Sequence, residues 1–403
     1  MTTRRLFLKS SGIAMFGVGS APLWLARTAQ AAGARKKVLV AIFQRGAVDG
    51  LSMVVPFGER RYYEARPNLA IARPGSSTDA AIDLDGFFGL HPALAPLKPI
   101  FDEKQLAIIH AVGSPDPTRS HFDAQDYMES GTPGLKSTRD GWLNRALPAA
   151  EEKPSPVRAV SLGTQLARTL RGSNDAVAVG NLENFQVRDP RGAGTFESMY
   201  EATLDQVLNG AGKETFEAVR LMESIRKQPY TPSNGAQYPN APLAQSLLQI
   251  ARLIKAGVGL EVAFADMGGW DTHANQPVQL TNLLGQFSSA LAAFHKDMGA
   301  MMDNVCVVTM SEFGRTMAEN GSRGTDHGHA NVMFAFGGGV KGGKIHGEWP
   351  GLTPEKLYQQ RDLAVTTDFR DVLGEFVSTH LGNRAVDTVF PGYTSPKYRG
   401  LLA

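Results

Sequence analysis

Val305–Thr316 reads VCVVTMSEFGRT: a run that is apolar except for Thr309, broken abruptly by Ser311, Glu312, Arg315 and Thr316. Continuous rather than alternating apolarity marks a strand covered on both faces, the condition of a parallel sheet packed between helices. Ligands of such a sheet bind beyond the carboxyl ends of its strands, so the polar burst belongs where a site is expected.

The same signature recurs in both directions. Val38–Phe43 (VLVAIF) is followed by QRGAVDG, Leu106–Val112 (LAIIHAV) by GSPDPTRSHFDAQD, and Leu260–Ala265 (LEVAFA) by DMGGWDTH. Val157–Leu162, Ala176–Val179 and Val332–Phe336 are further strand candidates. Between them, Leu280, Leu283, Leu284, Phe287, Leu291, Phe294, Met298 and Met301 make a three-four spaced helical stripe. Residues 203–227 and 243–255 are similar, joined by the irregular KQPYTPSNGAQYPNAP. The expected fold is α/β, a mostly parallel central sheet with helices on both faces, with a helical insert or cap over about 164–242.

The first 31 residues read as targeting rather than fold. A basic start precedes an apolar stretch and Ala29-Gln30-Ala31, a signal-peptidase pattern. Within it, Arg4-Arg5-Leu6-Phe7-Leu8-Lys9 resembles the twin-arginine consensus, which implies export of a folded protein by that machinery. The expected location is periplasmic or secreted, with residues 32–403 as the mature domain and no stable membrane anchor. Removing four basic residues leaves 37 against 39 acidic ones, a balance that argues against nucleic-acid partners. The single cysteine, Cys306, lies in an apolar run, so no internal disulfide is available and the core must hold the fold.

Only nine histidines occur, yet His327 and His329 sit beside Asp326 in GTDHGH, Gly324–His329. Singly, each motif has an ordinary reading: Asp271 and His273 as a turn, Glu312 as a helix-start carboxylate. Together, Asp271, His273, Glu312, Asp326, His327 and His329 fall where the fold puts its site. Nitrogen and oxygen donors without thiolate suit one or two divalent ions, Zn, Mn or Mg, with Ca if carboxylates dominate.

The ordered segments QRGAVDGL, RSHFDAQDYMESG, GGWDTH, SEFGRTMAENGSRGTDHGHANVMFAFGGGVKGG and DLAVTTDFRDVLGEF resemble the bacterial family known as domain of unknown function 1501. That family is similar to the alkaline phosphatase and sulfatase superfamily, which implies a three-layer sandwich carrying one or two metals and hydrolysing anionic esters. On that resemblance Asp326-His327 matches an adjacent Asp-His metal pair, Asp271 and His273 a neighbouring pair, Asp49 a carboxylate after the first strand, and Glu312 a further ligand. His346 or His380 would be the late histidine ligand. Ser120 is the implied nucleophile, with water as the alternative; as Ser-x-x-Asp with Asp123 it also reads as a helix cap. Arg45, Arg119 or Arg315 would bind the anionic oxygens, and His121 or His329 would protonate the leaving group. The sulfatase Cys/Ser-x-Pro-x-Arg pattern is absent from SPDPTRS, which disfavours a sulfatase. Two other readings share these motifs: an esterase acting on polysaccharide, and a non-catalytic envelope binding or assembly protein on the same fold.

Overall fold

The computed structural model describes residues 37–75, 77–149, 154–182 and 217–403; the expected targeting segment, 1–31, and residues 203–216 of the expected helix lie outside them. Every strand expected from the sequence forms, with small shifts at the ends. They are β1 (Val38–Gln44), β2 (Leu106–Gly113), β3 (Ala159–Leu162), β4 (Val177–Val179), β5 (Val262–Met267), β6 (Val305–Met310) and β7 (Asn331–Gly337). Two short pieces, β8 (Lys344–His346) and β9 (Thr367–Asp368), complete a nine-stranded sheet. Its order is β8-β2-β7-β6-β1-β5-β3-β4, with β9 also beside β2.

All neighbours pair in parallel except β7, which runs antiparallel to both β2 and β6. The apolar run of Val332–Phe336 does not reveal that reversal, because a strand buried on both faces looks the same in either direction.

Alternate residues of β1 enter opposite cores. Val38, Val40 and Ile42 join Leu247, Leu284 and Phe287, from the helices Pro242–Lys255 and Gln276–Met298. Leu39, Ala41 and Phe43 join Met128, Trp142 and Phe369, from His121–Ser130, Trp142–Ala146 and Phe369–Glu375. Both faces are therefore covered, and each fully buried Leu, Ile or Phe contributes about 1.5–3 kcal/mol. The long stripe holds through Met298, but Gly299 adopts φ 50 and ends the helix, so Met301 falls in the following 3-10 segment, 39% exposed.

Within 164–242, β4 is the outermost strand of the main sheet, and residues 217–226 form a helix whose Ala218, Leu221, Met222 and Ile225 are in the first core. No helix among the described residues is long and apolar enough to cross a membrane.

Candidate metal centre

Strands β1, β2, β5 and β6 all finish at one edge of the sheet, and β7 starts there. The loop from Ser311 to Ala330 consequently leaves and re-enters at the same edge, and it folds back on itself. Thr316 N–H donates to Asp326 O at 2.9 Å, Gly328 N–H to Gly314 O at 2.8 Å, and Gly314 N–H to His329 O at 2.9 Å. Two glycines of GTDHGH permit this crossing: a Cβ at Gly324 would lie 2.3 Å from the His273 backbone, and one at Gly328 would lie 2.3 Å from that of Arg315. Any side chain there would push the loop off its neighbours.

His121, at the start of its helix after β2, Asp271 and His273, after β5, and His327, from the folded loop, meet at this edge. His327 Nε2 is 3.0 Å from His121 Nε2 and 3.0 Å from His273 Nε2. Asp271 Oδ1 lies 3.4 Å from His121 Nε2, 3.0 Å from His273 Nε2 and 3.2 Å from His327 Nε2. Donor atoms of His121, Asp271 and His327 are all within 4.8 Å of one another, and His273 flanks the same His327–Asp271 pair as an adjacent fourth donor.

The far nitrogen of each ring decides what the near ones can do. His121 Nδ1 faces Glu312 Oε1 at 2.8 Å, His273 Nδ1 faces Asp326 Oδ1 at 3.0 Å, and His327 Nδ1 faces the Arg119 carbonyl at 2.9 Å. Carboxylates and carbonyls only accept, so the tautomer with the proton on Nδ1 satisfies these contacts and would turn each Nε2 lone pair inward. Three lone pairs and the Asp271 oxygen would repel one another in the absence of a cation. The 3.0–3.4 Å spacing among His121, Asp271 and His327 matches the roughly 3.3 Å between neighbouring ligands of a tetrahedral ion with bonds of about 2.0 Å. Oxygen acceptors behind histidine ligands are the usual outer support of a metal site. The residues fit a divalent ion.

Electrostatics follow the same division. Burial alone would raise the Glu312 carboxyl, but hydrogen bonds from His121, Gln125 (2.9 Å) and Gly46 N–H (2.8 Å) outweigh it and hold the group below its ordinary range. The Glu312 hydrogen bond in turn raises His121, with burial opposing. Burial pushes His327 the other way, keeping that ring neutral. Asp271, which burial would raise, is held down by Arg315, whose Nη2 is 2.5 Å from Oδ1.

Several sequence-based assignments are corrected by this geometry. His121 stands among the inward-facing donors rather than as a free acid. Glu312 and Asp326 orient histidines from behind. Asp49 is not brought to the cluster: it is buried, with both oxygens held by Arg66 at 2.6 and 3.0 Å. Arg315 is buried and spends its nitrogens on Gly46, Ala47, Trp270 and Thr325 carbonyls and on Asp271, so it ties loops together instead of facing an anion. Arg45 is committed to Asp266, Gln125 and Glu129, and Arg119 to Asp362 and Gln359. His329 stacks on Tyr358 with ring centres 4.3 Å apart, outside the cluster. His346 bonds the Lys341 carbonyl and His380 lies between Cys306 and the Val38 carbonyl, so neither supplies a late ligand. Ser120 is at the N-cap position, as expected, but its side chain does not cap the helix, and Asp123 pairs with Lys136 instead.

Sequence reasoning missed the support beneath. Gln276 donates to Asp49 at 2.6 Å and accepts from Thr272 (2.9 Å) and Thr325 (2.7 Å), the residues directly before His273 and Asp326. Arg66 holds the carbonyls of Thr316 and Met317 at 2.8 Å each. One buried polar network thus joins the two loops that carry the histidines. Its only sequence signal is an Arg inside an aromatic stretch and a Gln at a helix start, both of which have commoner explanations.

Over residues 104–384 the chain matches a family described as protein of unknown function (DUF1501). No curated protein matches it significantly. Among solved structures it is similar to the PsFucS1 sulfatase from Pseudoalteromonas sp., at 10% identity over 94% of this chain and 78% of that one, with a TM-score of 0.37. It is also similar to the alkaline phosphatase from the Antarctic bacterium TAB5, at 11% identity over 75% of this chain and 92% of that one, with a TM-score of 0.31. Scores this low leave the chemistry to rest on the site's own geometry.

Proposed function

The chain belongs to the DUF1501 family, and from that premise we propose that it is an exported, metal-dependent hydrolase of phosphate or related esters. The observation that carries the proposal is the convergence of the His121 and His327 imidazole nitrogens on the Asp271 carboxylate, with His273 beside them and each ring held by an acceptor behind it. Imidazole-rich donors favour Zn over Mn, Mg or Ca. A bound ion would supply Lewis acidity toward an anionic ester and lower the pKa of an oxygen nucleophile.

The protein's own groups supply the rest. Glu312 and Asp326 fix the His121 and His273 rings, and Arg315 fixes Asp271 through a 2.5 Å ion pair. Ser120 adjoins His121, is exposed, and is free of the capping task, which supports its hydroxyl as the nucleophile. The targeting segment supports export by the twin-arginine route to the periplasm or medium.

A screen of phosphate, phosphonate, sulfate and carboxylate monoesters with Zn- and Mn-loaded protein tests this reading. Turnover of one class, falling about tenfold to a hundredfold in Ser120→Ala because water replaces the hydroxyl poorly, is the expected result. Unchanged turnover in that variant would transfer the attack to water. Glu312→Gln is expected to weaken metal affinity by about 10–100-fold, read by competition with a chelating dye. Equal affinity in parent and variant would remove Glu312 from the site's support.

One observation favours the alternative of a non-catalytic envelope binding protein: Arg45, Arg119 and Arg315 are all committed within the protein, leaving none of the three for a substrate anion. Stoichiometric metal without turnover of any ester class would put that reading first.

A further inference from the structure

Beside the metal centre lies an open pocket of about 330 Å³, lined by the helix Arg60–Ala65, the folded loop and the turn before Asp362. Asp326 belongs to both, since it orients His273 and lines the pocket. Arg361 also links them, donating to the His327 carbonyl at 3.0 Å. The pocket thus adjoins the residues that support the His273 ring and the His327 backbone.

The wall is balanced in charge and mixed in chemistry. Arg61, Arg361, Glu319 and Asp326 all line it, and Met317 and Leu357 supply apolar surface. Glu319 is already satisfied by Asn68 and the Leu69 N–H, and Asp326 by Asn320 and His273. The arginines are less completely used. Arg61 Nε is buried without a hydrogen-bond partner, and its ion pair to Glu64 is exposed. Arg361 has one long contact to Asp362, 3.4 Å, besides its bond to His327.

The turn that presents Arg361 is strained. Gln359 and Gln360 hold φ 52 and 56, where glycine or asparagine would sit more easily, at a cost on the order of 1 kcal/mol or more each. Their neighbours fix the turn: Tyr358 N–H donates to Asp362 O at 2.8 Å, and Gln359 accepts from Arg119 at 2.8 Å. Strain of this kind, retained at the rim of a site, points to a function for what the turn presents.

We propose that this pocket binds the uncharged, polyhydroxylated part of the substrate, a sugar ring whose ester group reaches the metal. Hydroxyls donate and accept, which suits a wall carrying both guanidinium donors and carboxylate acceptors, and the ring's C–H face suits Met317 and Leu357. A net formal charge of zero at the wall fits a neutral ring better than a second anion. The volume is at the small end of the range for small-ligand sites. The proposal rests on the hydrolase reading for its substrate class, but binding of the ring itself does not require the metal.

Saturation-transfer NMR on the mature protein, with and without chelator, using the methyl glycosides of glucose, galactose and mannose and, separately, inorganic phosphate as competitor, tests it. The expected result is transfer to ring protons of at least one glycoside in both conditions, with affinity about tenfold or more weaker in Arg61→Ala. Arg61 touches no metal-site residue, and loss of its exposed pair leaves folding nearly unchanged. Arg361→Ala is the second variant and is expected to act in the same direction. No transfer from any of the three glycosides, transfer unaffected by Arg61→Ala, or displacement by phosphate would overturn the proposal. Failure of the metal reading would appear separately, as protein that binds glycoside but takes up no metal.

Discussion

Protein purified without chelator is expected to carry stoichiometric Zn, and His327→Ala to carry none above background by mass spectrometry. His327 is the hub: its Nε2 is 3.0 Å from those of both His121 and His273 and 3.2 Å from Asp271. Sites of this kind bind with free energies of about 10–16 kcal/mol, so losing one of four donors removes about 2.5–4 kcal/mol, on the order of 10²–10³ in affinity. Asp49→Asn separates this arrangement from the one the sequence suggested. If Asp49 were a ligand, that variant would lose metal as His327→Ala does; with Arg66 occupying both carboxylate oxygens, it should lose stability while keeping metal. A well-folded parent that takes up no ion when offered Zn, Mn, Mg or Ca would end the hydrolase proposal.

Arg66→Met is expected to destabilise the protein by about 3–5 kcal/mol in urea, because it strands the buried Asp49 carboxylate without its counter-charge. Adding Asp49→Leu to it should recover part of that loss, since removing a buried pair entirely costs less than breaking it. The pH dependence separates the two states further. In the parent, burial opposes ionisation of Asp49 but Arg66 outweighs it and holds the group below its ordinary 3.8. A depressed folded value means the carboxylate's contribution is complete above the unfolded value and is lost as pH falls through the folded one. Without Arg66, only the hydrogen bonds from Ser52 and Gln276 oppose burial and the depression shrinks, so the deficit of Arg66→Met against the parent should narrow as the solution is acidified. A deficit that is constant or widens toward acid would show that the loss comes from packing and not from the stranded charge.

The fold was largely legible because its signal is apolar and local. VLVAIF, LAIIHAV and VCVVTM each announce a strand covered on both faces, and the helical stripe from Leu280 to Met298 announces its cover. The direction of β7 was not legible, since apolarity carries no arrow. Within the site, residue types and their sheet edge could be read, and the structure does bring His121, Asp271, His273 and His327 together. Which carboxylate faces inward and which stands behind a ring could not, because that depends on side-chain direction across loops far apart in sequence. Asp49 shows this most clearly: its partner Arg66 is 17 positions away in an aromatic stretch with no outward sign of a buried cation.

The reversal of β7 also bears on how such a protein can change over time. In an all-parallel sheet, successive strands are joined by crossovers that carry the chain back past the sheet, so a connection cannot be altered without altering a covering layer. Here Ser311–Ala330 is in effect a long hairpin loop between adjacent antiparallel strands. Glu312, Arg315, Asp326 and His327 travel in it as one contiguous cassette. Lineages could lengthen, trim or replace that cassette, and with it the chemistry, while the nine strands and both helical layers stayed as they are.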